Sequence, residues 1–281
     1  MLKNQAKKKY LLQCCECKAV VISEEGGIKR WAKFNPRLMS GSHTWCPECY
    51  EKSKQKRMVY RMKRHFEDEL KELKQKLLYM GSLVEARIHK VIKGLVERDE
   101  KICHEIATTD DVVNSLHLEV DERCLNLLAL RQPIAIDLRF ITSAMKINSD
   151  LERIGDLAVN IGENCLVLLR EPFIKPLIDV PRMAAIAEKM LKDSLDAFVS
   201  KDVELAHSVI LRDDEVDALK DQVFRDLLTY MIADANTIPR ALNLILVSRH
   251  LERIADHATN IAEDVIYMVI GKDIRHHAEE K

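Results

Sequence analysis

From residue 56 onward, apolar side chains recur at three- and four-residue intervals in long runs, with few breakers before Pro133. That spacing puts them on one face of an α-helix. It predicts helices over about 58–98, 101–130 and 133–170, a break at Pro172, Pro176 and Pro181, then helices over about 181–200, 203–233 and 238–270. Pro133 and Pro239 suit a first helical turn, where a missing N–H costs nothing. Thr237 is a plausible cap ahead of Pro239.

The helical region is duplicated. Residues 150–163 read DLERIGDLAVNIGE and residues 250–263 read HLERIADHATNIAE, identical at nine of fourteen positions. A second match, Asp110-Asp111-Val112-Val113-Asn114 against Asp213-Asp214-Glu215-Val216-Asp217, has an offset of 103. Two helices therefore correspond in order in each half, as in a repeated helical bundle.

Residues 10–50 have a different texture, with both Trp and five of the eight Cys. Scarce Gly and Pro elsewhere argue against sandwiches and barrels. The organisation expected is all-α: a small zinc-ribbon-like domain at 1–56, a first three-helix bundle at 57–172 and a second at 173–281. No run of about 18 apolar residues is present to span a membrane. Cysteines follow the basic N-terminus where a signal core would be apolar, so a cytoplasmic location is expected. Net charge is −1, yet residues 1–64 carry 16 basic and 5 acidic residues, against 28 and 40 in the remainder. A basic head on an acidic body implies two modules with different partners.

The head's chemistry lies in two knuckles, Cys14-x-x-Cys17 and Cys46-x-x-Cys49. Each brings two sulfurs to one point, and together they complete a tetrahedral, closed structural Zn²⁺ site. Trp31, Phe34 and Trp45 supply a small core for the metal to complete. A redox dithiol is the alternative, and Cys15 and His43 are competing ligands. Cys103, Cys124 and Cys165 stand in apolar helical contexts and read as small buried hydrophobes.

The body's chemistry lies in carboxylate stripes. At about 100° per residue, Glu152, Asp156, Asn160 and Glu163 fall within about 80° of each other, and Glu252, Asp256, Asn260 and Glu263 repeat the stripe. Asp110, Asn114, His117 and Asp121 make a further stripe, which Asp213 and Asp217 begin to match, with Lys220 in place of the His. A solvated face of an amphipathic helix gives the same pattern. Against that, like charges four residues apart repel, whereas clustered carboxylates are ligands for hard cations.

Glu152-Arg153-Ile154-Gly155-Asp156 and Glu252-Arg253-Ile254-Ala255-Asp256 resemble the Glu/Asp-x-x-x-Asp motifs of the PhoU family. Arg131-Gln132-Pro133-Ile134-Ala135-Ile136-Asp137-Leu138-Arg139 is similar to its RQPxAxDLR-like segment. The resemblance covers about residues 60–271 and implies two three-helix bundles bearing multinuclear clusters of iron, zinc or other divalent ions. The matching positions are Asp110, Glu152, Asp156, Asp213, Asp217, Glu252 and Asp256. It also implies a homodimer or higher oligomer, and a non-enzymatic regulator of phosphate transport and phosphate-starvation signalling. Its partners would be a phosphate ABC-transporter ATPase and a phosphate-sensing histidine kinase, placing the protein in the cytoplasm or at the inner membrane face. Asn114 where the other half has Asp217, and the added cysteine module, depart from the family pattern.

Two other functions compete. Lys29, Arg30, Lys33 and Arg37 interleaved with Trp31 and Phe34 suit nucleic-acid binding through residues 1–64. A di-metal oxidoreductase needs inward Glu and Glu-x-x-His ligands, for which Glu204-x-x-His207 is a lone match. Lone His65, His89 and His257 read as surface groups.

Overall fold

A computed structural model describes residues 10–14, 19–24, 27–28, 32–33, 42–44, 47–109 and 111–274, with side chains for Glu48, Cys49, 51–56 and, within those bounds, from His65 onward. The chain forms two compact units, residues 1–68 and 69–281.

The first unit carries five short strands: β1 (Tyr10–Cys14), β2 (Ala19–Glu24), β3 (Gly27–Ile28), β4 (Ala32–Lys33) and β5 (Ser42–Thr44). They form one sheet in the order β3-β2-β1-β5, with β4 also paired to β2. Strand β1 runs antiparallel to β2 and parallel to β5, with Cys14 opposite Thr44.

The second unit is helical. α1 (Pro47–Glu97) leads into it, so the domain boundary expected at 56/57 falls inside a helix. α2 (Glu100–Thr108), α3 (Asp111–Arg131) and α4 (Ala135–Leu168) complete the first half. α5 (Asp179–Ser200), α6 (Val203–Ile210), α7 (Asp213–Ala233) and α8 (Ile238–Ile270) form the second. The single helices expected over 101–130 and 203–233 are each two. The short second helix of each half begins in the same way. Arg98 (φ 57°) and Lys201 (φ 59°) turn the chain left-handed, and the next residue, Asp99 or Asp202, caps a short helix. Asp99 accepts from Lys101 N (2.9 Å) and Ile102 N (3.3 Å), and Asp202 from Leu205 N (3.0 Å). These side chains satisfy N–H groups that have no partner within the helix. Pro133 stands ahead of α4 rather than in its first turn, because Gln132 and Ala135 both take positive φ. Thr237 does begin α8, yet its hydroxyl bonds back to the Tyr230 and Asp234 carbonyls instead of capping.

α4 and α8 pack against each other at the centre of this unit, and their pairings run antiparallel: Ser143 with Asp264, Asp150 with His257. Leu151, Ile154, Leu157, Ala158 and Ile161 are buried on α4, and the residues 100 positions later are buried on α8. The sequence repeat is thus a repeat of burial. Two arginines close the ends alike. Arg139 Nε donates to Met268 O (3.2 Å) near the end of α8, and Arg240 Nη1 to Pro172 O (3.0 Å) just after α4. Arg139 there faces the last turn of α8, whose carbonyls have no partner within the helix. Gly162 lets α2 come close: a Cβ there would stand 3.1 Å from Ala107 N and 3.2 Å from Cys103 O.

Candidate metal centre

The α7–α8 face gathers the second-half stripe. Asp213 and Asp217 lie one turn apart on α7, and Glu252 and Asp256 one turn apart on α8. Burial pushes the Asp213 carboxyl up to about 6, and the Asp256, Asp217, Glu252 and Asp214 charges add to the shift. Asp256 is raised by burial and then by Glu252 and Asp217, with His257 and Lys220 opposing. After burial, carboxylate charges from both helices add to these shifts. Lys220 Nζ stands between them, 2.9 Å from Asp217 Oδ1 and 3.1 Å from Glu252 Oε1. Those hydrogen bonds, Asp217's first, raise the ammonium pKa against the effect of burial. Among the described residues, no three His, Cys, Asp or Glu side chains converge to hold a metal ion. The donor chemistry nevertheless suits one: hard oxygens on two helices, with the Asp213 and Asp256 carboxyls raised, a cost that a divalent cation would relieve.

The first-half counterpart is only partly in view. Glu152 and Asp156 occupy the same face of α4, half-buried and exposed respectively, as Glu252 and Asp256 do on α8. Asp110 lies outside the described residues. Asn114 stands on α3 where α7 has Asp217. His117 and Asp121 are tied to Asn148: its Nδ2 donates to His117 O and Asp121 Oδ1, both at 2.9 Å, and His117 Nε2 is 3.5 Å from Asp121 Oδ2.

Of the four cysteines expected to hold zinc, Cys17 and Cys46 lie outside the described residues, as does the Cys14 side chain. Cys49 is buried in the first turn of α1. Cys103, Cys124 and Cys165 are buried, as expected, and burial pushes the Cys124 thiol up to about 12. Glu204, offered as a di-metal ligand, is exposed on the eight-residue α6 and so lacks the inward setting that role requires.

His257 reverses an expectation. It is buried (7% exposed), with Nδ1 2.9 Å from Asp150 Oδ1. Lys146 Nζ bonds Asp264 Oδ1 at 2.7 Å beside them. The repeat held the missed signal: the position matching His257 is Leu157, a core residue, so a polar side chain there needs a buried partner.

Comparison with known proteins matches this frame. The PhoU domain model matches twice, over residues 77–165 and 180–265. A PhoU homologue of the phosphate-specific transport system accessory proteins from Pseudomonas aeruginosa is 39% identical over 220 residues, covering 78% of this chain and 91% of its own. One from Aquifex aeolicus is 42% identical over 214 residues, covering 76% and 97%. The crystal structure of PhoU from Pseudomonas aeruginosa superposes with a TM-score of 0.71 at 40% identity, over 74% of this chain and all of that one. A phosphate transport system regulatory protein PhoU from Streptococcus pneumoniae gives 0.69 at 30% identity, over 74% and 98%. Two domain matches that coincide with the two halves of a duplicated helical unit establish that the chain belongs to the PhoU family, whose members are regulatory accessory proteins and not enzymes.

Proposed function

We propose that the protein regulates phosphate transport and phosphate-starvation signalling by binding a phosphate-transporter ATPase and a phosphate-sensing histidine kinase, with divalent ions such as iron or zinc held on its carboxylate stripes. Relatives named as accessory proteins of the phosphate-specific transport system support the regulatory role. Among the described residues no helix is long and apolar enough to cross a membrane, so contact with a transporter would be made from outside the bilayer. The observation that carries the metal centre is the gathering of Asp213 and Asp217 on α7 and Glu252 and Asp256 on α8 around Lys220, with the Asp213 and Asp256 carboxyls raised. Glu152, Asp156 and Asp110 would form its counterpart. When bound, the ions would supply charge neutralisation and cross-linking between helices, stabilising the folded form alone.

The test is metal analysis of the protein against a variant carrying Glu152→Gln, Asp156→Asn, Glu252→Gln and Asp256→Asn. Loss of most metal beyond one zinc per chain is expected, because amides are weaker ligands than carboxylates. Unchanged metal content, with unchanged stability on adding metal, sinks the cluster.

A specific observation also favours the zinc module. β1 ends at Cys14 directly opposite Thr44 in a parallel pair, so the segments carrying Cys17 and Cys46 leave adjacent strands in the same direction. Cys49 follows in the first turn of α1. A closed site of four cysteines would cross-link these segments through the metal.

A further inference from the structure

We infer that the cleft where α1 meets the start of α4 and the end of α8 binds a small amphiphilic anion, a carboxylate or phosphate head carrying an alkyl or acyl chain. This goes beyond the phosphate-regulatory reading and uses none of the carboxylates of the metal centre.

The cleft encloses about 390 Å³, within the roughly 300–1,000 Å³ usual for small-molecule sites. Its floor is apolar: Leu70, Ile136, Phe140, Met268 and Val269. Among the described residues, its polar groups are three lysines, Lys71, Lys74 and Lys201, against one carboxylate, Asp137. Among the described residues, no Ser, Thr, Asn, Gln, Tyr or His lines it. A base or sugar would therefore give up hydrogen bonds to water and recover few. A hydrocarbon chain gives up none and gains from burial. At roughly 30 Å³ per water-sized group, the cleft holds about ten such groups beside a head.

The lysines are poorly balanced. Lys74 donates to Val199 O, and burial, then the Lys201 charge, lower its pKa. Among the described residues, neither Lys71 nor Lys201 has an ion-pair partner. An anion at the rim would relieve that repulsion.

The other half shows how such a cation is satisfied. Arg98 is the counterpart of Lys201, on the same left-handed turn. It donates to the carbonyls of Leu169 (2.7 Å) and Glu171 (3.0 Å), and its guanidinium lies 4.7 Å from the centre of the Phe173 ring. The chain leaving α4 thus offers Arg98 acceptor oxygens attached to an apolar group. Among the described residues, the chain leaving α8 offers Lys201 nothing comparable. An amphiphilic anion supplies both parts. Two of the lining residues, Ile136 and Asp137, belong to the RQPxAxDLR-like segment, which the metal centre leaves unused.

The test is calorimetric titration of the full chain with monomeric decyl phosphate, with inorganic phosphate and decanol as single-feature controls and anionic phospholipid vesicles as a separate arm. One decyl phosphate per chain is expected, at least about tenfold tighter than either control. The exposed pair Lys71→Gln/Lys201→Gln should weaken it by about tenfold, as the loss of two partly exposed charge contacts allows. Exposed Ile136→Ser should weaken decyl phosphate while leaving helicity unchanged. Vesicle binding that needs the same lysines, without monomer binding, would assign the head to a membrane lipid. Absence of binding in both arms, equal binding of inorganic phosphate, or wild-type affinity in the folded double variant would overturn the proposal.

Discussion

His257 Nδ1 on α8 lies 2.9 Å from Asp150 Oδ1 on α4, in a seam where the matching positions of the repeat, Leu157 and His250, make no such pair. The two halves are therefore joined here by a polar contact that the duplication does not repeat. Removing one member leaves the other buried with its hydrogen bond unmade. His257→Leu, which installs the residue of the other half, should cost about 1–3 kcal/mol in urea unfolding. A double-mutant cycle with Asp150→Leu should show coupling, since the second change removes the orphan. Additive losses would mean that the pair contributes nothing as a pair.

The crowded carboxylates make metal-free stability depend on pH with a definite sign. Asp213 has a folded-state value of about 6, above the ordinary carboxylate value, so the folded protein holds its proton more tightly than the unfolded chain. Stability should then fall as pH rises from about 4 to about 6. Asp213→Asn should flatten that slope. Saturating divalent metal should reverse it, because bound metal favours the ionised form. A wild-type slope in the metal-free variant would remove Asp213 as its source.

Lys220 serves as a built-in counterion between Asp217 and Glu252. Lys220→Met should lower stability without metal, because two carboxylates lose their partner. The same change should tighten metal binding, because the ammonium no longer competes for those oxygens. Titration of both proteins with Zn²⁺ or Fe²⁺ reads the second effect. Weaker metal binding in the variant would show that Lys220 organises the site rather than blocking it.

Both Trp residues, Trp31 and Trp45, belong to the first unit. A strong zinc chelator should change Trp fluorescence while far-UV helicity stays largely intact, since the helical unit has its own core. Fluorescence that ignores the chelator while zinc leaves would detach the module's fold from metal.

The basic head allows one more measurement. If residues 1–64 bind nucleic acid, affinity should fall steeply with salt as Lys and Arg displace condensed counterions. A failure of the full chain to bind duplex or single strand at low salt would leave the 16 basic residues of this segment to another acidic partner.

Helical class, the duplication and the two Glu-Arg-Ile-x-Asp stripes were legible because each rests on local periodicity. A buried position spaced at three or four residues stays buried in any bundle that uses that face. The breaks at Thr109 and at Leu211–Arg212 were not legible, because apolar spacing continues nearly in phase across them. Thr109 takes an extended backbone after α2, while Leu211 and Arg212 stay near helical conformation between α6 and α7, and neither change alters the hydrophobic pattern.

By itself the sequence determined which residues face inward, that the helical unit is built twice, and that carboxylates line matching faces of α4 and α8. Only the tertiary structure decided how those faces meet. It set Lys220 between Asp217 and Glu252, paired His257 with Asp150 from 107 residues away, and drew Lys71, Lys74 and Lys201 around one apolar cleft. The physical reason is that burial and periodicity are properties of one helix. A side chain's electrostatic partners are set by which helices pack together and in what register, and residues far apart in the chain carry no local trace of that choice.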